Sequence, residues 1–243
     1  MIGSLISRPE DVAAALEDNP ERFAAEANAV LEGADPLTVL GWAGRAFGKG
    51  LVVTAAMGDT VLAHLTSRAV PGTSMIFVDT GYHFAETIGT AAAVEASYPL
   101  RMLTIRPKET VEQHEAKRGK LYLTDPDACC ALRKVAPLDN ALRGYSAWAT
   151  GLRREDSPDR ADTPTVRWDA KRGLLKLAPI AGWSQDDVDG YLDAHPEVLS
   201  NPLLQMNYRS IGCAPCTRAV APGEDARAGR WAGKAKSECG IHL

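Results

Sequence analysis

The sequence predicts an α/β fold in which a parallel, twisted sheet carries helices on both faces. Short apolar runs of strand type alternate with stretches of helical spacing from about residue 51 onward. These runs are apolar at nearly every position, which is typical of strands buried on both faces of a parallel sheet. Polar turns at 57–59 and 79–81 follow two of the runs, at the edge where open α/β sheets bind ligands.

The local sequence supports each element in turn. Ala and Leu at helical spacing make residues 1–48 a helical segment, with Pro20 and Pro36 near helix starts and Gly48 as a stop. Ser184 and the acidic residues after it are typical of a helix N-terminus. The other predicted elements are strands at 51–55, 74–78, 100–105, 147–150 and 174–177, and helices at 59–69, 84–97 and 184–194.

Three segments are expected along the 243 residues, a length that one large α/β domain can fill. Residues 1–48 are the helical segment, which covers the sheet or builds a subunit contact. Residues 49–221 are the α/β domain that holds the substrate and the cysteine-rich centre. Residues 222–243 are rich in Gly, Ala, Arg and Lys, and we expect them to form a mobile tail. Without a repeat or a clear linker, the segments are expected to form one domain.

Composition excludes several classes of function. A net charge of −4 provides no basic field for nucleic-acid binding. The sequence contains no run that approaches the roughly 20 apolar residues of a transmembrane helix, and its first residues lack the pattern of a signal peptide. We therefore expect a cytoplasmic protein that binds neither nucleic acid nor membrane.

The five cysteines are the sharpest feature of the composition. Cys129 and Cys130 are adjacent, Cys213 and Cys216 form a Cys-x-x-Cys pair, and Cys239 stands alone. An odd count in a reducing compartment argues against a disulfide framework. Two close pairs indicate a metal centre, either zinc or an iron–sulfur cluster. Adjacent cysteines reach two irons of a cubane more readily than one tetrahedral zinc, so the spacing favours a cluster without deciding the matter.

Three motifs follow one another along the chain. They are CCALRKVAPL at 129–138, IGCAPCTR at 211–218 and ECGIH at 238–242. Together they resemble the assimilatory adenylyl-sulfate reductases, thioredoxin-dependent enzymes of the adenylyl-sulfate and phosphoadenylyl-sulfate reductase family, from about Leu51 to the C-terminus. The resemblance implies an ATP-pyrophosphatase-like fold (adenine nucleotide alpha hydrolase-like). It also implies reduction of adenylyl sulfate to sulfite and AMP, in sulfate assimilation and cysteine biosynthesis.

A cofactor and a partner also follow from the resemblance. It assigns a 4Fe–4S cluster to Cys129, Cys130, Cys213 and Cys216, and thioredoxin as the reductant. Family members without these cysteines generally prefer the substrate with a 3′-phosphate, so the four cysteines point to adenylyl sulfate. The part played by the cluster, electron transfer or electrostatics, is open at this stage, and so is assembly into a homo-oligomer.

Cys239 is the predicted nucleophile. A lone cysteine near a terminus is ordinarily a stray thiol, but Gly240 frees the backbone and Lys234 and Lys236 supply charge that favours a thiolate. The resemblance gives Cys239 the attack on the sulfate sulfur, forming an S-sulfocysteine from which thioredoxin releases sulfite. His242 is a further candidate, for tuning the thiolate or contacting the partner, and its alternative is a solvated terminal residue.

Basic side chains are needed to neutralise an anionic substrate before a thiolate attacks it. Lys134 lies one helical turn after Cys130, and two arginines follow the strand at 147–150. For each basic residue the alternative is a solvated surface charge. By resemblance, the substrate or cluster contacts are Lys134, Arg153, Arg154, Arg227 and Arg230.

The nucleotide is expected at the ends of the first two strands. The turn Asp79-Thr80-Gly81 matches the family's Asp-Thr-Gly turn, and capping of the next helix is the alternative role of Asp79. The loop TAAMGD at 54–59 has one glycine and no serine, unlike the Ser/Gly-rich phosphate loop of ATP pyrophosphatases. Met57 is the candidate contact in this loop, where the amides of the following helix N-terminus can bind an anion.

Three other functions compete with this interpretation. The first is the same chemistry on phosphoadenylyl sulfate. The second is a cluster-containing tRNA sulfurtransferase, which calls for an intact pyrophosphatase loop and a basic face. The third is a zinc-binding interaction protein, which leaves Cys239 unexplained.

Overall fold

The computed structural model describes residues 9–234 and 236–241. Its helices are α1 (Pro9–Asp18), α2 (Pro20–Leu31), α3 (Pro36–Phe47), α4 (Val61–Ala69), α5 (Ala85–Ser97), α6 (Val111–Arg118), α7 (Leu121–Thr124), α8 (Pro126–Cys130), α9 (Ala136–Leu142) and α10 (Gln185–Ala194). A π-helical turn, Ala131–Val135, joins α8 to α9. The strands are β1 (Leu51–Thr54), β2 (Ser74–Val78), β3 (Arg101–Ile105), β4 (Ala147–Thr150), β5 (Val166–Asp169) and β6 (Leu174–Leu177).

The six strands form one sheet in the order β3-β2-β1-β4-β6-β5. All neighbours pair in parallel except β5, which lies antiparallel to β6 at the edge. The predicted parallel sheet is therefore confirmed apart from this edge strand. β5 was missed because its four residues do not form an apolar run: Arg167 is exposed, as an edge strand allows, and Asp169 is buried.

The N-terminal helices cover one face of the sheet. Trp42 of α3 is fully buried and lies 6.4 Å from the ring of Phe23 and 5.9 Å from that of Phe47. Val53 of β1 and Leu175 of β6 point into the same apolar cluster. Asn19 and Asp35 cap α2 and α3, whose first residues are the two prolines predicted to start helices. Of the two roles left open for this segment, the structure shows the first.

The opposite face of the sheet carries a smaller apolar cluster and most of the polar chemistry. Val52 and Trp148 pack there against Leu138 and Leu142 of α9. The helices that lead into α9, from Val111 onward, contain the first two cysteines and were not assigned by the sequence analysis. Helices on both faces are thus confirmed.

The helix α10 begins where the sequence predicts it. Ser184 caps α10 through a reciprocal pair of hydrogen bonds with Asp187, as its sequence predicts. None of the helices in the described ranges combines the length and the apolar character that crossing a bilayer requires.

Candidate active site

The four paired cysteines line one cavity. Cys129 and Cys130 end α8, whose first turn is capped by Asp125, while Cys213 and Cys216 flank a short 3-10 turn. The π-helical turn that follows α8 continues the helix and brings basic side chains to the same wall. The remaining lining residues are Thr80, Tyr82, Tyr122, Pro126, Arg133, Lys134, Pro215, Arg230 and Trp231.

Burial keeps the first cysteine pair in its thiol form. Burial, followed by the neighbouring thiols, raises the pKa of Cys129 to about 12. Burial likewise raises the pKa of Cys130 to about 11, although Lys134 opposes the shift. These two thiols retain their protons unless a cation replaces them. Among the described residues, no group of three or more His, Cys, Asp or Glu side chains is arranged to hold one metal ion.

Arg133 anchors this wall to the end of β2, and the sequence analysis missed it. It is 3% exposed, its Nε donates to the carbonyl of Thr80 at 2.7 Å, and its guanidinium lies 5.1 Å from the ring of Tyr82. Gly81 has a φ of +79°, and a side chain there would meet Arg133 at 2.9 Å. The only sequence signal was the position of Arg133 inside the first cysteine motif.

Cys239 lies half-buried beside this cavity. Burial tends to raise its pKa, but Lys134, the backbone amide of Ile241 and Arg230 together outweigh that effect and hold the pKa below its usual value. The buried guanidinium of Arg230 stacks 4.4 Å from the ring of Trp231, and its Nε finds no partner among the described residues. The structure therefore places the predicted nucleophile where its thiolate is favoured by charge.

The tail that carries Cys239 is docked on the body of the protein. Lys236 pairs with Asp127 of α8. Within the tail, Arg227 donates to the carbonyl of Ser237 at 2.7 Å. Glu238 is held by Arg160 at 2.9 Å from each carboxylate oxygen. Mobility of residues 222–243 stays a prediction, and His242 lies outside the described residues.

The two arginines of the loop after β4 take different positions. Arg153 pairs with Asp156 at 2.7 Å and donates to Gln185 at 3.0 Å. Arg154 donates to the carbonyl of Thr163 at 2.8 Å and pairs with Glu32, the residue that follows α2. Neither lines the cysteine cavity, whereas Lys134 and Arg230 do. The role of Arg153 and Arg154 as substrate contacts stays a prediction.

The predicted nucleotide loops lie at the carboxyl ends of β1 and β2. The Met57 side chain is buried in the core and its carbonyl accepts a hydrogen bond from Asn201 at 3.0 Å, so only its backbone is placed to meet a ligand. Met57 and Thr60 both adopt positive φ angles, 58° and 53°, which is unusual for residues other than glycine. This strain marks the loop as a functional candidate.

Asp79 and Thr80 connect the second loop to its surroundings. Asp79 accepts from the amide of Gly81 at 3.0 Å and from Arg106 at 2.9 Å. It does not cap the next helix, because α5 begins only at Ala85, so that alternative is wrong. The hydroxyl of Thr80 lies 3.2 Å from the sulfur of Cys213, which links the nucleotide loop directly to the cysteine cavity.

Comparison with known proteins decides the family. The family model of the phosphoadenosine phosphosulfate reductase domain, built from sequences, matches residues 50–219 of this chain. The chain is 57% identical over 221 residues to the adenosine 5′-phosphosulfate reductase of Streptomyces coelicolor, covering 90% of this chain and 93% of that protein. This chain belongs to the phosphoadenosine phosphosulfate reductase family. The adenosine 5′-phosphosulfate reductase of Mycolicibacterium smegmatis, another relative, is 47% identical over 234 residues, 96% of this chain and 99% of that protein.

Solved structures agree with this membership. A phosphoadenylyl-sulfate reductase from Candida auris, determined as a phosphate complex, superposes with a TM-score of 0.68 at 30% identity over 80% of this chain and 95% of that chain. The FMN adenylyltransferase of Candida glabrata shares the fold alone, with a TM-score of 0.53 at 12% identity over 87% of this chain and 75% of that chain. The ATP-pyrophosphatase-like fold and the family inferred from the three motifs are confirmed.

Proposed function

We propose that this protein reduces adenylyl sulfate to sulfite and AMP through an S-sulfocysteine on Cys239, as a step of assimilatory sulfate reduction and cysteine biosynthesis. One observation carries the proposal: the Cys239 thiol is docked beside Lys134 and Arg230, with its pKa lowered, next to the four-cysteine cavity. Relatives 44–57% identical over most of the chain are named adenosine 5′-phosphosulfate reductase, which supports the choice of substrate.

In the first step the Cys239 thiolate attacks the sulfur of the sulfate group. The new S–S bond forms as the S–O bond to AMP breaks, and AMP leaves with that electron pair. Lys134 and Arg230 neutralise negative charge that gathers between the thiolate and the oxyanion. When the tail is docked, the Cys239 thiol already lies beside Lys134 and Arg230, so little reorganisation precedes attack.

In the second step a thiolate of reduced thioredoxin attacks the Cys239 sulfur. Sulfite leaves with the electron pair of the S–S bond, and a mixed disulfide remains between the two proteins. The second thioredoxin thiol resolves that disulfide, so the two electrons of the reduction come from the thioredoxin dithiol. An external reductant is required because the other four cysteines sit together at the cavity wall and are assigned to a metal centre.

We assign a 4Fe–4S cluster to Cys129, Cys130, Cys213 and Cys216. The donor set fits it, because four thiols line one cavity and thiolate sulfur is the usual ligand of such clusters. Arg133, Lys134 and Arg230 lie on the same wall and would balance the charge of four thiolates. Because both electrons of the reduction come from the thioredoxin dithiol, the cluster when bound would supply electrostatics and order to the residues around it.

The basic residues are assigned by their position relative to Cys239. Lys134 and Arg230 act on its thiolate and Arg227 pairs with the neighbouring Glu238, so these three are proposed to contact the phosphate and sulfate groups. The backbone at Met57 and the turn Asp79-Thr80-Gly81 are proposed to hold the nucleotide. Arg153 and Arg154 are proposed as more peripheral contacts.

The setting of the reaction completes the proposal. Free thiols, a thioredoxin partner and an oxygen-sensitive cluster all fit the reducing cytoplasm. Whether the chain forms a homo-oligomer is decided by its mass in solution, measured with the cluster in place.

The test is the intact mass of anaerobically purified protein after incubation with adenylyl sulfate and no reductant. One added sulfonate group, absent from Cys239→Ser and formed with adenylyl sulfate alone, is the expected result. Equal labelling by phosphoadenylyl sulfate would keep the mechanism and remove the substrate assignment. No adduct with either compound, in protein that retains its iron, would contradict the proposal.

A further inference from the structure

We propose that Glu238 is a positioning residue for the reaction. Its carboxylate, clamped by Arg160, holds Cys239 docked for attack on the substrate. This contact must break before the reductant reaches Cys239. The clamp consists of Glu238, Arg160, Ser157 and Arg227. What Cys239 does once docked rests on the proposed function, whereas the clamp itself does not.

Three of the described residues contact the carboxylate of Glu238. Arg160 donates from Nε and Nη2 to the two carboxylate oxygens, both at 2.9 Å. Ser157 donates to Oε1 at 3.1 Å, and Arg227 approaches the same oxygen at 3.2 Å. The Glu238 side chain is 8% exposed. A two-pronged, charge-assisted pairing of this kind fixes orientation as well as position.

The arginine that holds Glu238 is itself braced. Arg160 also donates to Asp156 at 2.8 Å, and Asp156 is shared with Arg153 at 2.7 Å. Arg153 in turn donates to Gln185, the first residue of α10. Alternating charges therefore run from a helix of the sheet domain to the residue that precedes the nucleophile.

The other side-chain anchors next to Cys239 each have an exposed partner. Lys236 is itself 5% exposed and lies 5.3 Å from the ring of Trp231, but its partner Asp127 is 78% exposed. Ser237 donates to Asp159 at 2.8 Å, in a hydrogen bond that also lies at the surface. Exposed pairs contribute little, whereas removing one partner of a buried pair leaves the other charge uncompensated. The Arg160–Glu238 pair is at most 14% exposed on either side, so Glu238 is the tail residue whose loss should loosen the docking of Cys239 most.

The two half-reactions need opposite states of this clamp. Attack on the substrate needs Cys239 held beside Lys134 and Arg230. Reaction with a protein thiol needs the modified cysteine accessible, because a half-buried sulfur cannot meet the active site of another protein in line. Loosening the clamp should therefore slow the first half-reaction and leave the second unchanged or faster, which a general folding defect would not do.

Glu238→Gln removes the charge of the clamp and keeps its shape, and Glu224→Gln is the matched control. Glu224 belongs to the same C-terminal segment and pairs with Arg218 at 2.8 and 3.0 Å, but on the exposed surface and away from Cys239. Arg160→Lys loosens the clamp from its other side while keeping the positive charge. Circular dichroism and iron content of each variant establish that the holoprotein is intact.

The first readout is alkylation of Cys239 by iodoacetamide at pH 8.5 without substrate, followed by peptide mass. We expect alkylation at least tenfold faster in Glu238→Gln and in Arg160→Lys than in the wild type, and unchanged in Glu224→Gln. An unchanged rate in both clamp variants would overturn the proposal. This readout involves no sulfur chemistry, so it tests the clamp even if the wild type forms no adduct with adenylyl sulfate, a result that would refute the proposed function alone.

The second readout separates the half-reactions. In single-turnover experiments, S-sulfonation of Glu238→Gln by adenylyl sulfate is expected to slow by tenfold or more. Release of sulfite from the isolated adduct by reduced thioredoxin is expected at the wild-type rate or above. Equal slowing of both steps would mean that Glu238 acts only in general structure and would overturn the positioning role.

Discussion

The two faces of the sheet are built on different physical terms. The face covered by α1–α4 and α10 is a continuous apolar cluster, with Trp42 and Leu31 fully buried in it. The opposite face has a small apolar cluster, and it buries charge beside it: Lys176 is 2% exposed and lies 4.8 Å from the ring of Trp148. Burial of apolar surface stabilises a fold, whereas burial of charge and thiols opposes it.

The fold therefore draws its stability mainly from one face of the sheet and carries its reactive groups on the other. The apolar face can hold the sheet together without any contribution from the cysteines. The polar face can then carry groups that are unfavourable to bury, such as the four thiols of the cavity and Arg133, because the apolar face offsets the free energy that their burial costs. Changes on one face should therefore be separable from changes on the other.

The largest separation is expected from Cys213→Ser. Losing one of four thiolate ligands should remove most of the iron and the brown colour from anaerobically purified protein, because each ligand holds a different corner of the cluster. Iron and acid-labile sulfide analysis gives the result. The far-ultraviolet circular dichroism should change little. Cys239→Ser is the matched control and should keep its iron, and full iron in Cys213→Ser would refute the assignment of that cysteine.

Trp42→Ala should act on the other face alone. Emptying the space of a fully buried tryptophan is expected to lower the free energy of unfolding by about 3–5 kcal/mol. Urea titration measures this loss. The rate of Cys239 sulfonation per folded molecule should stay at the wild-type value. A rate that falls in proportion to stability would show that the two faces are not independent.

Lys134→Met should shift the pH dependence of sulfonation. Lys134 is the largest influence that lowers the pKa of Cys239, so its removal raises that pKa and moves the rise in rate to higher pH. Loss of its charge at the oxyanion should also slow the reaction by about 10²–10³-fold at neutral pH. Single-turnover rates between pH 6 and 9 measure both effects. Lys171→Met, at an exposed lysine, is the control and should follow the wild-type profile.

The smallest effect is expected at Lys176. Burial, and then Arg167, lowers the pKa of its amine to about 7, whereas in the unfolded chain the pKa of lysine is about 10.4. Above pH 7 the unfolded chain therefore binds more protons than the folded one, so stability rises with pH. The wild type should gain roughly 1 kcal/mol relative to Lys176→Met between pH 7 and 8. An equal change in the free energy of unfolding of the two proteins between pH 7 and 8 would contradict this.

Most of the sheet could be predicted from the sequence, because β1, β2, β4 and β6 are short apolar runs with clear boundaries. The edge strand β5 escaped because its pattern is not apolar and its only neighbour is β6. The helix α8, which carries the first cysteine pair, was missed because it is only five residues long and too short to show helical spacing. The N-terminal helices were found because proline and glycine mark their ends.

The site was predictable where motifs are local and not where contacts are distant. The cysteines sit in short motifs, so their grouping could be inferred. Arg160 could not, since it meets Glu238 across 78 positions of sequence. Arg153 and Arg154 were both assigned as contacts, with Arg153 ranked higher, yet Arg153 has an extended backbone while Arg154 begins a 3-10 turn and pairs with Glu32 beyond the end of α2.

The central claim is that Cys239 passes through an S-sulfonated state whose reduction is a separate step. The most direct measurement starts from protein treated with adenylyl sulfate, freed of AMP and excess substrate, and then mixed with reduced thioredoxin. We expect the amount of sulfite released to equal the amount of sulfonated Cys239. Cys239→Ser carried through the same steps should release none. Sulfite that appears together with AMP before thioredoxin is added, with no adduct on the protein, would contradict it.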